Sequence, residues 1–190
     1  MPILGIIASQ ISGHLSTNSY ESIATVTVGS GGQSSISFTS IPSTYKHLQI
    51  RAIGRNTAAV TTAQAKIQIN GDTGNNYTFH QMYGNGATAA ADGYGTGVIN
   101  GITPSIRMTG ASSTSGIFGA TVIDILDYAN TNKNKTVRIL LGQDQNGSGD
   151  VQLVSGAWLS TSAITSLSFT AQTSGDFAQY SSFALYGVKG

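Results

Sequence analysis

The feature that most restricts this chain is a period-two alternation of apolar and polar residues, which restarts after short polar or glycine-rich breaks along most of its length. In His47-Leu-Gln-Ile-Arg-Ala52, Leu48, Ile50 and Ala52 share one side of an extended chain, and His47, Gln49 and Arg51 share the other. Successive strand residues point to opposite faces, whereas a helix groups residues three and four apart. No segment combines the helical spacing with a capping residue at its start and a glycine at its end. The chain is therefore read as all-β.

The breaks divide it into elements. Ala24, Val26 and Val28 form an apolar set, the Gly29–Gly32 cluster a turn, and Ile36 with Phe38 a second set, which predicts a hairpin. After the Ile41-Pro-Ser-Thr44 connection and the 47–52 strand, Lys66-Ile-Gln-Ile-Asn70 repeats the alternation. Asn70-Gly71-Asp72 tolerates positive φ and predicts a turn before an extended Tyr77–Tyr83. Ile117–Tyr128, a turn at Lys133–Lys135 and the inward set Val137, Ile139 and Leu141 predict another hairpin. A polar turn at Gln143–Asp150 is followed by strands at Val151–Leu159, Ile164–Ala171 and Ser181–Val188. About eight to eleven short strands describe an antiparallel β-sandwich or jelly roll, with Thr and Ser at outward positions.

Gly84–Ser115 is rich in Gly, Ala, Thr and Ser with little periodicity. It is read as a long loop excursion with a short strand near Val98 and Ile102. Such stretches in compact domains are usually functional or disordered, which makes it a candidate contact region. The domain plan is an amino-terminal arm or edge strand at 1–19 and a single sandwich domain at 20–190, carrying the excursion at 84–115. No internal repeat, heptad run or collagen-like period is present, which argues against a fibre shaft within this chain.

Composition removes several functions. Only 9% of residues are charged and the formal net charge is +1, against roughly 25% charged in ordinary domains. Mean hydropathy is +0.03, so Ser, Thr, Asn, Gln and Gly replace the charge. Disorder goes with low hydrophobicity and high net charge, and this chain has neither. Its nine basic residues are scattered, with the densest group at Lys133, Lys135 and Arg138, so nucleic acid is not an expected partner. The absence of cysteine removes disulfides, thiol catalysis and cysteine-bound zinc.

The start, Met1-Pro-Ile-Leu-Gly-Ile-Ile-Ala-Ser9, has a short apolar run, but the first basic residue is Lys46. A secretory signal needs a positive leading region and a longer apolar stretch. It is read as mature sequence forming a strand or docking arm, with Ile3, Leu4, Ile6 and Ile7 as assembly-contact candidates. No stretch approaches the roughly 20 apolar residues of a membrane-spanning helix, so no membrane partner is expected; no cofactor is expected either.

Catalytic constellations are sparse. Glu21 is the one glutamate, and Asp124 and Asp127, three apart on a predicted strand, face opposite ways. Asp144, Asp150 and Asp176 fall in predicted turns, where aspartate bonds its own backbone. His14, His47 and His80 lack the short spacings of metal sites. No Gly-X-Ser-X-Gly elbow occurs, and the glycine clusters have no following Lys-Ser/Thr and helix for phosphate binding. The chain is read as non-enzymatic, without metal or catalytic residues. Trp158, Phe169, Phe177, Phe183 and Tyr186 are read chiefly as core, with Phe183 and Leu185 on one strand face and Tyr186 and Val188 on the other. A strand apolar on both faces is buried between sheets or against another subunit. Tyr186, with Tyr94 in the excursion, completes the assembly-contact candidates.

The order of several segments resembles a family of small virion proteins of tailed phages, seen especially among phages of cyanobacteria and other aquatic bacteria. The segments are Met1–Ser9, Tyr20-Glu-Ser-Ile-Ala-Thr-Val-Thr-Val28, Ser40-Ile-Pro-Ser-Thr-Tyr-Lys-His-Leu-Gln-Ile-Arg51, Ile69-Asn-Gly-Asp-Thr-Gly-Asn-Asn-Tyr77 and Ser182-Phe-Ala-Leu-Tyr-Gly-Val-Lys-Gly190. They span nearly the whole chain. The resemblance implies a structural virion component with no catalytic residues to carry over. A capsid decoration or cement protein is the first expectation, located on the capsid exterior after assembly in the host cytoplasm. Its partners would be the major capsid protein and further copies of itself, as a homo-oligomer with a trimer favoured. A tail-associated or tail-fibre protein acting in host recognition is the alternative. Weak charge suits permanent packing in an assembly, where an unpaired buried charge is costly.

Overall fold

The computed structural model describes residues 19–190, an antiparallel β-sandwich whose strands are β1 (Tyr20–Thr27), β2 (Ser35–Phe38), β3 (His47–Gly54), β4 (Thr62–Ile69), β5 (Tyr77–Gly84), β6 (Ala89–Ile99), β7 (Ile102–Thr109), β8 (Gly119–Leu126), β9 (Lys135–Asp144), β10 (Gly149–Trp158), β11 (Leu167–Ala171) and β12 (Ser182–Val188). Eight of them form a large sheet in the order β1-β12-β3-β8-β9-β10-β5-β6, and four form a small sheet in the order β2-β11-β4-β7. Ile3, Leu4, Ile6 and Ile7 lie outside the described residues.

The alternation read from the sequence becomes the core. Leu48, Ile50, Ile123, Ile125, Val137, Ile139, Phe183 and Leu185 face inward from the large sheet, and Ile36, Phe38, Ala65, Ile67, Ile69 and Phe169 from the small one; all are buried. Phe183 is the central aromatic, with its ring 5.6 Å from Phe169 and 5.1 Å from Phe177. Tyr77 anchors the β4–β5 corner. Its hydroxyl accepts the Ile69 N–H at 3.0 Å and donates to the Asp72 carbonyl at 2.9 Å, and burial pushes its pKa up to about 12. The corner turns through Asn70 and Gly71, both with positive φ (52° and 67°), as the sequence predicts.

Two expectations need correction. Residues 24–38 are not a hairpin: β1 pairs with β12 in the large sheet and β2 with β11 in the small one, so the glycine cluster carries the chain between sheets. Local alternation marks two strands but is silent on their partners. Residues 84–115 are not a loop excursion. They hold the 11-residue β6, a hairpin partner of β5, and all of β7. Two different things hid them: β6 is almost wholly exposed and has no apolar face to mark it, whereas β7 alternates Ile102, Pro104, Ile106 and Met108 with Thr103, Ser105, Arg107 and Thr109 but carries a proline inside a stretch rich in Gly, Ala, Thr and Ser. The loop after β7 is tied down by Arg55, whose guanidinium donates to the carbonyls of Ser113, Thr114 and Ile117, each at 2.9 Å.

Four strands cannot cover eight. The large sheet curls around β7, which packs against β3, β5, β8, β9 and β10. Gly156 allows the close approach: a Cβ there would lie 2.8 Å from Ile102. Beyond this line, β5, β6 and the far ends of β9 and β10 overhang and look back at the outer side of β4 and β7. The inward residues change character as cover is lost. Along β10 they run Trp158, Gly156, Val154, Gln152, Asp150; along β5, Tyr77, Phe79, Gln81, Tyr83.

Candidate functional site

The outer face of the large sheet carries an apolar field that the strand register assembles from separate elements. One row across the strands contains Ile53, Ala120, Gly142 and Val151. The next contains Arg51, Val122, Leu140, Leu153, Met82 and Ala91. Leu140, Val151, Leu153 and Met82 are 56%, 58%, 50% and 60% exposed. Met82, Ala89, Ala91, Leu140, Val151 and Leu153 border a shallow groove of about 610 Å³. Apolar side chains scattered singly on a surface are ordinary, whereas a contiguous apolar field marks an interaction surface.

A polar row bounds this field and fixes its orientation. Gln49 donates to Asp124 at 2.8 Å, and Arg51 Nε donates to Gln49 at 2.8 Å. The Arg51 guanidinium lies over the rings of Tyr20 and Tyr186, 5.4 and 5.2 Å from their centres. Tyr186 therefore serves as a platform for Arg51 at the β1–β12 side of the sheet. Tyr94 is on the other side of the molecule, on β6, with its ring 5.5 Å from Phe79 on the inner face of the overhang. The two tyrosines singled out in the sequence are thus on opposite faces and do not form one site.

The residues that do form the outer field escaped the sequence reading. Ile139-Leu140-Leu141 is a continuous apolar run, which is the signal that one of its members points outward. Val151, Leu153 and Met82 are harder to find. They alternate with polar Gln152, Gln81 and Tyr83, a pattern that reads as apolar-in and polar-out, while the overhang turns it the other way round.

The titratable groups are occupied with structure. Asp127, just beyond β8, has φ of 48°, accepts a hydrogen bond from Lys133 and is ion-paired with the Lys46 ammonium at 3.0 Å. These pull its carboxyl down to about 2. His47 Nδ1 accepts the Asp127 backbone N–H at 3.0 Å. Because the folded carboxyl titrates below the ordinary 3.8, its contribution to stability is present above that range and is lost as pH falls toward 2. Asp127→Asn, which tolerates the positive φ, is expected to lower Tm at pH 7 and to leave it unchanged near the acid limit; thermal melts across that range at low salt are the check. Asp72 is likewise held low, by the Trp158 indole N–H at 2.7 Å and by Asn76. Asp150 corrects the sequence reading: it belongs to β10 rather than a turn, and its carboxylate is held by Arg107. Among the described residues, no group of three or more His, Asp or Glu converges as a metal site.

Fold and surfaces together define an antiparallel β-sandwich with an apolar outer sheet face and a polar cleft under its overhang. No family model matches the chain, and no curated protein matches it. Among solved structures it is similar to the galectin LEC-6 of Caenorhabditis elegans, over 87% of this chain and 96% of that one, with 6% identity and a TM-score of 0.31.

Proposed function

We propose that this chain is a non-enzymatic structural protein of a tailed-phage virion, a capsid decoration or cement protein that packs on the head exterior as a homo-oligomer against the major capsid protein. The observation that carries the reading is the exposed apolar field of Ile53, Leu140, Val151, Leu153 and Met82 on the large sheet. The segment resemblance along the chain and the scarcity of charge support it. Leu140 and Leu153 are cross-strand neighbours at the centre of that field. Leu140→Lys combined with Leu153→Glu places opposite charges side by side, a pairing the sheet accommodates. The double variant is expected to stay folded and to lose incorporation into particles by about tenfold or more. Unchanged incorporation would refute this docking face.

A tail-associated role in host recognition is the second reading, favoured by the polar cleft under the overhang. Copy number separates the two: hundreds per particle for a head protein, about a dozen or fewer for a tail protein.

A further inference from the structure

We propose that the cleft beneath the overhang is a binding site for a neutral saccharide. The proposal is independent of the assembly reading, which concerns the opposite face of the large sheet. The cleft encloses about 480 Å³, within the range of ligand clefts, about 300–1,000 Å³. The inner side of β5, β6, β9 and β10 forms one wall and the outer side of β4 and β7 the other.

Its chemistry is that of amides. Gln64, Gln81, Gln143, Gln145 and Gln152 line it, with Tyr83 among them. An amide offers both a donor and an acceptor, as a sugar hydroxyl does, and a tyrosine ring offers an apolar face to the C–H side of a pyranose. Charge in the cleft is nearly balanced. Arg107 holds Asp150 through two contacts, Nε to Oδ1 at 3.0 Å and a terminal nitrogen to Oδ2 at 2.8 Å. Asp92 accepts an amide N–H from Gln81 at 2.7 Å. No excess of cations is present to take a phosphate or polyanion.

The polar groups are positioned before a ligand arrives. Gln143 donates to Thr62 at 2.7 Å, Gln145 donates to Gln143 at 2.9 Å, and Gln152 donates to Asp150. Preorganisation of this kind reduces the ordering cost of binding. Among the described residues the network leaves two acceptors over: Oε1 of Gln81 and Oε1 of Gln152 are buried without a hydrogen-bond partner, and Gln152 as a whole is 6% exposed. A buried acceptor without a donor is unfavourable. Both residues line the cleft, so a rotation of either amide would present its oxygen to a ligand hydroxyl.

Ligand-observed NMR with neutral oligosaccharides of gluco, galacto, manno and N-acetylated type, each at about 10 mM, tests the proposal, with heparin as the anionic control. At least one neutral oligosaccharide is expected to bind. Its affinity should fall by about tenfold or more in Gln81→Ala and in Tyr83→Ala. It should be unchanged in Met82→Ala, which lies between them in sequence but on the outer face. Thermal melts confirm that each variant is folded, and Gln145→Ala from the β9 end replaces any that is not. Absence of binding across the neutral panel, binding of heparin alone, or a loss equal in all three variants overturns the proposal.

Discussion

Lys135→Met is expected to lower the unfolding free energy by about 3 kcal/mol. Lys135 is fully buried, and its ammonium meets three carbonyl oxygens and no carboxylate: Asn130 at 2.7 Å, Lys133 at 3.0 Å and Thr161 at 2.9 Å. Two of these belong to the β8–β9 turn and one to the β10–β11 connection, so a single side chain joins two loops at one end of the sandwich. Burial, with the neighbouring Lys133 charge as the lesser cause, lowers the ammonium pKa from the ordinary 10.5. The ammonium is retained because its three N–H bonds are all used. Methionine matches the aliphatic stem but ends before the ammonium and supplies no donor, leaving the carbonyls unpaired. Urea denaturation should show a lower midpoint with unchanged m. Lys189→Met, which removes only a solvent-exposed partner of Glu21, should stay within about 0.5 kcal/mol of the parent.

Phe183→Ala is expected to cost about 4 kcal/mol, the loss typical of a large aromatic deleted from a closed core. Its ring joins β12 of the large sheet to Phe169 of β11 in the small sheet and to Phe177 in the segment between them, so the cavity would open where the sheets meet. Tyr186, three residues on and facing outward, is the control. Tyr186→Ala removes a surface contact with Arg51 and should cost about 1 kcal/mol. Equal losses at the two positions in calorimetry would mean that β12 is not oriented with Phe183 inward.

Much of the fold was legible in short-range pattern. The turn at Asn70-Gly71, the β8–β9 hairpin and the inward sets of β3 and β9 follow from alternation and turn chemistry, and the turn expected over Gln143–Asp150 is present but shorter, because β9 runs to Asp144 and β10 begins at Gly149. Strand partners did not. The glycine cluster at 29–32 looked like a hairpin turn because a hairpin and a crossing between sheets need the same local flexibility, and only β11 and β12 in the middle decide between them. β6 and β7 were missed for different reasons: β6 is exposed along nearly all its length, so no apolar face marks it, whereas β7 does alternate, with Ile102, Pro104, Ile106 and Met108 on one set of positions, and its proline and small polar neighbours made it read as loop.

The site residues show the same division. Asp150 and Arg107 are 43 residues apart, and each taken alone reads as an ordinary surface charge. Gln81, Tyr83 and Gln152 occupy the positions that a strand normally gives to solvent.

By itself, the sequence determined that this chain is built of short strands, with little charge and no catalytic or metal-binding cluster legible in its spacing. A two-residue period specifies that a strand has two unlike faces. It does not specify which face is covered. That was decided by tertiary structure, because the small sheet is half as wide as the large one and closes over only part of it. Where cover ends, water reaches the inner face, so polar residues line it as a cleft, and the apolar residues of the same strands are left on the outside.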